Sequence, residues 1–222
     1  MAYGYKIGSI PITTVQRLAT YLPALREMQR QGRSIVSSAN LADMLRLEAI
    51  QVRKDFGYLE ITGRPKTGFK IVELIEAMER GLSWNRVSDA ILVGTGHLGT
   101  ALLNYRGFGY HGLNINAAFD IAPDRVGTVI NGVEVQHLDA MGGSLDAAMA
   151  ILTVSPESAQ AVAEKLVQAG ITGIWNFTGR TLLLPEQVII QDQDIAIGLA
   201  VLSAKLTARA REAIEAESTL RP

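Results

Sequence analysis

Residues Ala90–Gly99 read Ala-Ile-Leu-Val-Gly-Thr-Gly-His-Leu-Gly, an apolar run that opens directly into Gly-x-Gly-x-x-Gly. Each glycine has a separate use in dinucleotide binding. Gly94 permits a tight turn, Gly96 lets the backbone approach a pyrophosphate, and Gly99 allows the next helix to pack closely on the strand. Thr95, His97 and Leu98 complete the loop. The diphosphate would rest on the helix N-terminus, where unpaired N–H groups and the helix dipole favour negative charge. Alone this motif is weak. Here a helix-compatible stretch, Thr100–Asn104, follows it, and a second apolar run, Ile115–Phe119, ends in Asp120, 21 residues after Gly99. A carboxylate in that place, with Ile121 beside it, would accept hydrogen bonds from the adenosine ribose. It would repel a 2′-phosphate, and Ile121-Ala122-Pro123 brings no arginine directly after it. The expected ligand is therefore NAD(H) rather than NADP(H). Thr153, Val154, Asn176 and Phe177 stand at the ends of two later apolar runs and are expected on the nicotinamide side; Phe177 could equally be core.

A second chemistry is written near the N-terminus. Residues 1–70 carry 11 Lys and Arg against 5 Asp and Glu, a balance of +6; the rest carries 10 against 17, or −7. Charge alone does not decide between a polyanion-facing segment and an uneven solvated surface. Spacing adds to it. Ser38 can cap a short helix, Ala39–Leu45, and after Arg46–Glu48 a further helix, Ala49–Tyr58, carries Gln51, Arg53 and Lys54. That is helix–turn–helix spacing, in which Gln and Arg can read base edges and Lys and Arg hold phosphates. Ser37, Ser38 and Tyr58 belong to the same candidate surface. Leu59–Phe69, with Arg64, Lys66 and two glycines, is expected to form a basic β-ribbon, or wing. Double-stranded DNA is the expected partner.

Catalysis finds little support. A dehydrogenase needs a proton donor or acceptor beside the nicotinamide. His97 lies inside the glycine loop, His111 and His137 have no relay-like neighbours, and Lys is confined to Lys165 and Lys205 beyond residue 70. The chain has no cysteine, which excludes disulfides, thiolate metal sites and cysteine nucleophiles. No apolar run reaches the roughly 18–20 residues that span a bilayer. Met1–Ile10 has no continuous apolar stretch and is not expected to be a secretory signal, so a cytoplasmic protein is expected.

Three segments must position these residues. Residues 1–80 read as short helices, beginning with Thr13–Gln31, in which Pro23 should kink the helix or start a new one. Residues 86–192 alternate short apolar strands with helices: Asp89–Val93, Ile115–Phe119, Val133–His137, Met149–Val154, Gly173–Phe177 and Val188–Gln191, with a clear helix at Glu157–Ala169. The near-continuous apolar runs are those of strands buried on both faces of a parallel sheet. Gly81–Ser88 is the expected linker. Residues 193–217 form a terminal helix striped with Ile195, Leu199, Leu202 and Leu206, which either packs on its own sheet or crosses to a second subunit. The expected fold class is α/β, an N-terminal winged-helix domain followed by a Rossmann domain.

The sequence resembles the Rex redox-sensing transcriptional repressors of bacteria. Gln51-Val52-Arg53-Lys54-Asp55 is similar to the family's recognition-helix string; Arg17-Leu18 with Tyr21-Leu22 and Val36-Ser37-Ser38 match its first helices. Gly94–Gly99, Ala118-Phe119-Asp120, Leu152-Thr153-Val154, Ala169-Gly170-Ile171 and Asn176-Phe177 match in order, from about Pro11 to Leu202. The resemblance implies a homodimer with a swapped C-terminal helix. It implies a repressor that grips a palindromic operator at low NADH and releases it when NADH binds. It also implies that Arg17, Tyr105 and Asp194 couple nucleotide pocket to DNA. The chain departs from the family at Thr178-Gly179-Arg180, at the wing sequence Pro65–Phe69, and at Pro156, one position later than usual. Redox discrimination and operator preference are where these departures would act. A repressor with lost or altered redox response, a small NAD-dependent oxidoreductase and a binding protein for another nucleotide are the alternatives.

Overall fold

The computed structural model describes residues 6–7, 10–59, 61–64, 67–84, 88–142 and 145–219. It divides into two compact units. The first comprises Met1–Val87 and Arg106–Asn114, the second Ser88–Tyr105 and Ile115–Pro222.

The first unit opens with a two-strand pair, β1 (Lys6–Ile7) and β2 (Ile10–Pro11), which leads into α1 (Ile12–Arg30). Pro23 does not start a new helix: α1 runs through it as one element. Leu18, Tyr21, Leu22, Leu25 and Met28, on both sides of the proline, are buried along one face, and that packing outweighs one lost backbone hydrogen bond. Next come β3 (Ile35–Val36), α2 (Ser38–Leu45), α3 (Ala49–Gly57), β4 (Phe69–Lys70) and α4 (Ile71–Gly81). Arg46 ends α2 in the left-handed conformation, φ 55°, and makes the turn toward α3. Leu41, Val52, Phe56, Ile71, Leu74 and Met78 close a single core with the α1 residues. Phe56 lies edge-on to both Tyr21 and Phe69.

Of the expected wing, residues 59, 61–64 and 67–69 are described. Its strand, β4, pairs antiparallel with β3, upstream of α2, and Arg64 and Gly68 form a one-residue bridge beside it. Gly68 makes this possible: its φ is +103°, and an added Cβ would sit 2.5 Å from the Val36 carbonyl oxygen.

The second unit is a seven-strand sheet in the order β11-β10-β9-β5-β6-β8-β7. Its strands are β5 (Ser88–Val93), β6 (Leu113–Asp120), β7 (Val129–Ile130), β8 (Val133–His137), β9 (Met149–Leu152), β10 (Gly173–Asn176) and β11 (Ile189–Asp192). Counted without β7, the order is 3-2-1-4-5-6, that of a doubly wound dinucleotide-binding sheet. Strand β7 is the addition. It pairs antiparallel with β8 through a two-residue Asn131-Gly132 turn in which both residues have positive φ, as a type I′ hairpin requires. Helices α5 (His97–Leu103) and α6 (Pro156–Gln168) cross between strands. A long helix, α7 (Ala196–Thr219), follows the sheet. The core joins Ile91 and Val93 of β5 to Ala150 and Leu152 of β9, and to Ala159, Ala163 and Leu166 of α6.

Candidate functional site

The order of the sheet puts its switch point between β5 and β9, the place where a doubly wound sheet binds its ligand. The glycine loop lies at the carboxyl end of β5, with Gly96 preceding the first residue of α5. Gly94 has φ +97°, and an added Cβ would lie 2.8 Å from the Thr153 and Val154 backbone. At Gly99 a Cβ would overlap the Gly94 carbonyl oxygen. Gly96 meets nothing within 4 Å. Two glycines therefore lock the turn against β9 and α5, while the third leaves its backbone open toward a ligand. These residues fit a bound diphosphate.

A pocket of about 250 Å³ lies on this loop, lined among others by Gly94, Gly96, Asp120, Ile121, Thr153 and Val154. It continues past Leu138 to Ser155, Ser158 and Val162, a mostly apolar slot with two hydroxyls. Leu138, Ser155, Ser158 and Val162 were absent from the expected set, because nothing in the linear pattern brings the end of β8 and α6 to this place. Asp120 ends β6 half-buried. Burial alone would raise its carboxyl, but the N–H of Ala122, the hydroxyl and N–H of Thr95 and the N–H of Ile121 outweigh that and hold it below the usual carboxylate range. The group is an anion with its oxygens fixed. His97 is exposed at the start of α5, and Leu98 is half-buried behind it. Arg125, unmarked in the linear pattern, donates from Nη1 to the Thr95 carbonyl at 3.0 Å. The turn after Pro123 folds it back, so an arginine does stand near the adenosine end, only not directly after Asp120.

On the side opposite Asp120 the expected residues separate. The Thr153 hydroxyl donates to the Gly94 carbonyl at 2.7 Å and ties β9 to the glycine turn. Asn176, expected to contact nicotinamide, is buried with its amide fully engaged by its own chain. Its Nδ2 donates to the Arg180 carbonyl and to Asp192 Oδ1, and its Oδ1 accepts from the N–H and hydroxyl of Thr178. It braces the Thr178-Gly179-Arg180 turn. Phe177 stacks against Trp175 with ring centroids 4.9 Å apart and is half-buried.

In the first unit, Ser37, Ser38, Arg53, Arg64, Thr67 and Phe69 line one concavity between the start of α2, helix α3 and the wing. Arg53 and Lys54 are exposed on α3, Tyr58 is exposed at its end, and Arg64 is exposed on the wing. Lys66 lies outside the described residues. One expectation needs correction. Ser37, not Ser38, caps α2, accepting from the Asn40 N–H at 3.0 Å; Ser38 is the first helical residue and is buried. The Gln51 amide donates from Nε2 to Asp55 Oδ1 at 3.0 Å, one helical turn on.

Asp55 is the buried anion that the pattern of α3 did not expose. Its side chain has no solvent exposure and takes the Arg17 Nε and Nη2 at 2.7 Å each, the Tyr21 hydroxyl at 2.7 Å and the Thr14 hydroxyl at 3.1 Å. Desolvation opposes its ionisation, but the bonds from Arg17, Tyr21 and Gln51 win and lower its pKa. In the same cluster the Tyr21 hydroxyl is pushed well above the usual phenol range by burial and by Asp55. Tyr105 is exposed after α5, and Asp194 is exposed, its Oδ1 accepting from the Ala196 N–H at the start of α7.

Among the described residues no group of His, Asp and Glu could hold a metal ion, and no helix is long and apolar enough to cross a membrane. Two family models match the chain: "CoA binding domain" over residues 85–179 and "Putative DNA-binding protein N-terminus" over residues 9–57. A redox-sensing transcriptional repressor Rex of Treponema denticola is 38% identical over 207 residues, covering 92% of this chain and 98% of that protein. The Rex protein of Bacillus subtilis is 36% identical over 196 residues, 88% of this chain and 91% of its own length. Among solved structures, a protein called RSP in complex with β-NADH superimposes with a TM-score of 0.82 at 28% identity, covering 98% of this chain and all of that one. RSP in complex with β-NAD+ and operator DNA gives 0.80 at 28% identity over 95% and 98%. With relatives of this similarity over nearly their whole length and an α/β fold of that kind, the chain belongs to the Rex family of redox-sensing transcriptional repressors.

Proposed function

We propose that this protein is a transcriptional repressor that reads the balance of NADH and NAD+, holding a palindromic operator when NADH is scarce and releasing it when NADH binds. The observation that carries the reading is the coexistence of two built surfaces on one chain. One is a glycine loop with an ionised Asp120 at a doubly wound switch point; the other is an exposed Arg53, Lys54 and Arg64 rim around the start of α2. The complexes of RSP with β-NADH, and with β-NAD+ and operator DNA, support the same pairing of ligands.

Asp120 selects NAD(H) by refusing a 2′-phosphate. Arg53, Lys54 and Arg64, with Lys66, hold phosphates and base edges. NADH acts as a ligand and not as a reductant; His97 is exposed, and His137 accepts from the Asp139 N–H. The protein works in the cytoplasm, where its operator is. It works as a homodimer, because two half-sites need two recognition helices. Helix α7 supports this: Ile197, Leu199, Leu202 and Leu206 are all more than half exposed, an apolar surface that a second copy would cover. In the domain terms above, residues 1–80 bind DNA, 86–192 bind nucleotide and 193–217 join the subunits. NADH can shift the DNA-bound population only by its differential affinity for the two states. A duplex selected by the protein from a random DNA pool tests the proposal. Binding to it should fall as NADH rises, while NADH absorbance stays constant.

A further inference from the structure

Every acceptor position on Asp120 is already in use. Oδ2 accepts from the Thr95 N–H at 2.6 Å and from the Thr95 hydroxyl at 2.7 Å; Oδ1 accepts from the N–H groups of Ile121 at 2.7 Å and Ala122 at 3.0 Å. An ionised carboxylate has about four acceptor sites. A ribose hydroxyl arriving at Asp120 thus meets a carboxylate with no vacant lone pair.

Of the four donors, three are backbone N–H groups, which cannot withdraw without remaking the glycine turn or the end of β6. The fourth is a hydroxyl that leaves by rotation about a single bond. We propose that Thr95 sets the affinity of the adenosine half of the site: its hydroxyl occupies the Asp120 oxygen that a ribose hydroxyl needs, and the dinucleotide must displace it. This rests on the nucleotide reading of the glycine loop given above.

Release is costly because of where Thr95 sits. The residue is fully buried, so its hydroxyl finds no water when it leaves Asp120. It cannot escape by moving the backbone. The Thr95 carbonyl is held by Arg125 Nη1 at 3.0 Å and by the Thr100 hydroxyl at 2.8 Å. The cost of stranding that hydroxyl is subtracted from every ligand that binds through its ribose. A valine at this position has the same shape and no donor, so it removes the competitor and the cost together.

The test is calorimetric titration of the full chain with NADH, with ADP-ribose and with 2′,3′-dideoxyadenosine diphosphate, which lacks the ribose hydroxyls. Thr95→Val should bind NADH and ADP-ribose roughly tenfold more tightly than the wild type, the size expected for losing one hydrogen bond to a charged group. Thr95→Ala, which is smaller and cannot crowd the turn, should change in the same direction. Thr95→Ser keeps the hydroxyl and should stay on the weak side of that gap. The dideoxy ligand should show no gain in any variant. Unchanged or weaker binding of NADH and ADP-ribose by both hydroxyl-free variants, with the wild type binding normally, would overturn the role of Thr95. A wild type that binds neither ligand would instead overturn the nucleotide reading and this inference with it.

Discussion

Arg17 of α1 grips Asp55 of α3 at two points, Nε to Oδ2 and Nη2 to Oδ1, each at 2.7 Å. The pair joins α1 to α3 inside one unit, and Asp55 brings Tyr21, Thr14 and Gln51 with it. The bond does two things. It fixes the helix that presents Arg53 and Lys54, and it gives any other carboxylate that approaches Arg17 a competitor already in place. A coupling in which Asp194 of a second subunit pairs with Arg17 therefore has to share the guanidinium with Asp55 or displace it.

Asp55→Asn keeps the shape and removes the charge. Taking one partner from a buried pair costs about 3–5 kcal/mol, and because Arg17 keeps 28% side-chain exposure the low end of that range is expected. The pH dependence has a definite sign. The folded-state pKa of Asp55 lies below its unfolded value, so its contribution is complete above about pH 4 and is lost as the pH falls through the folded pKa. Chemical denaturation of wild type and Asp55→Asn from pH 7 to pH 2 should give curves that converge in acid. A constant gap would remove Asp55 from the acid limb.

Lys54→Ala should weaken operator binding at every sequence tested and reduce the slope of log affinity against log salt by about 0.9, one phosphate contact. NADH affinity should hardly move, since Lys54 belongs to the other unit. A salt slope identical to wild type would take Lys54 off the DNA surface.

Asp120→Ser should narrow the preference for NADH over NADPH, because the repulsion of a 2′-phosphate leaves with the carboxylate while Arg125 remains nearby. Calorimetry with both ligands measures the ratio. Equal affinity of the wild type for NADH and NADPH would contradict the assignment of Asp120.

Much of the nucleotide site was legible because its chemistry is sequential: Gly94, Gly96, Gly99 and Asp120 occupy fixed places in one β-α-β run. Strand Val133–His137 has the bounds expected from its pattern, since a parallel strand buried on its core side leaves an apolar signature. What stayed hidden arises from folding back. Asn131-Gly132 is a hairpin signal, but its strand β7 has two residues, too few for periodicity to register. Ser158 joins the pocket from the first turn of α6, and Arg125 reaches the Thr95 carbonyl by way of the turn after Pro123. Asp55 sat inside the recognition string, and only the packing of α1 shows that it faces inward while Arg53 and Lys54 face out. Ser37 and Ser38 are adjacent serines, and only the backbone shows that Ser37, in extended conformation, caps α2.

Tyr105→Phe should keep NADH binding within a few-fold of wild type and bind operator normally, yet need much more NADH for release. The change removes one hydroxyl, and a single hydrogen bond to a charged partner is worth about 1.5–3 kcal/mol, the scale of allosteric couplings. An operator-release curve that overlays wild type would take the Tyr105 hydroxyl out of the coupling.

On the proposed function, one ligand controls one surface through the redox state of its nicotinamide. The direct measurement is fluorescence anisotropy of a labelled operator duplex bound to the wild-type protein, titrated separately with NADH, NAD+ and NADPH at fixed salt. The account predicts release by NADH at concentrations where NAD+ and NADPH leave the complex intact. Operator binding that stays constant across the NADH titration, with NADH shown by calorimetry to be bound, would contradict it.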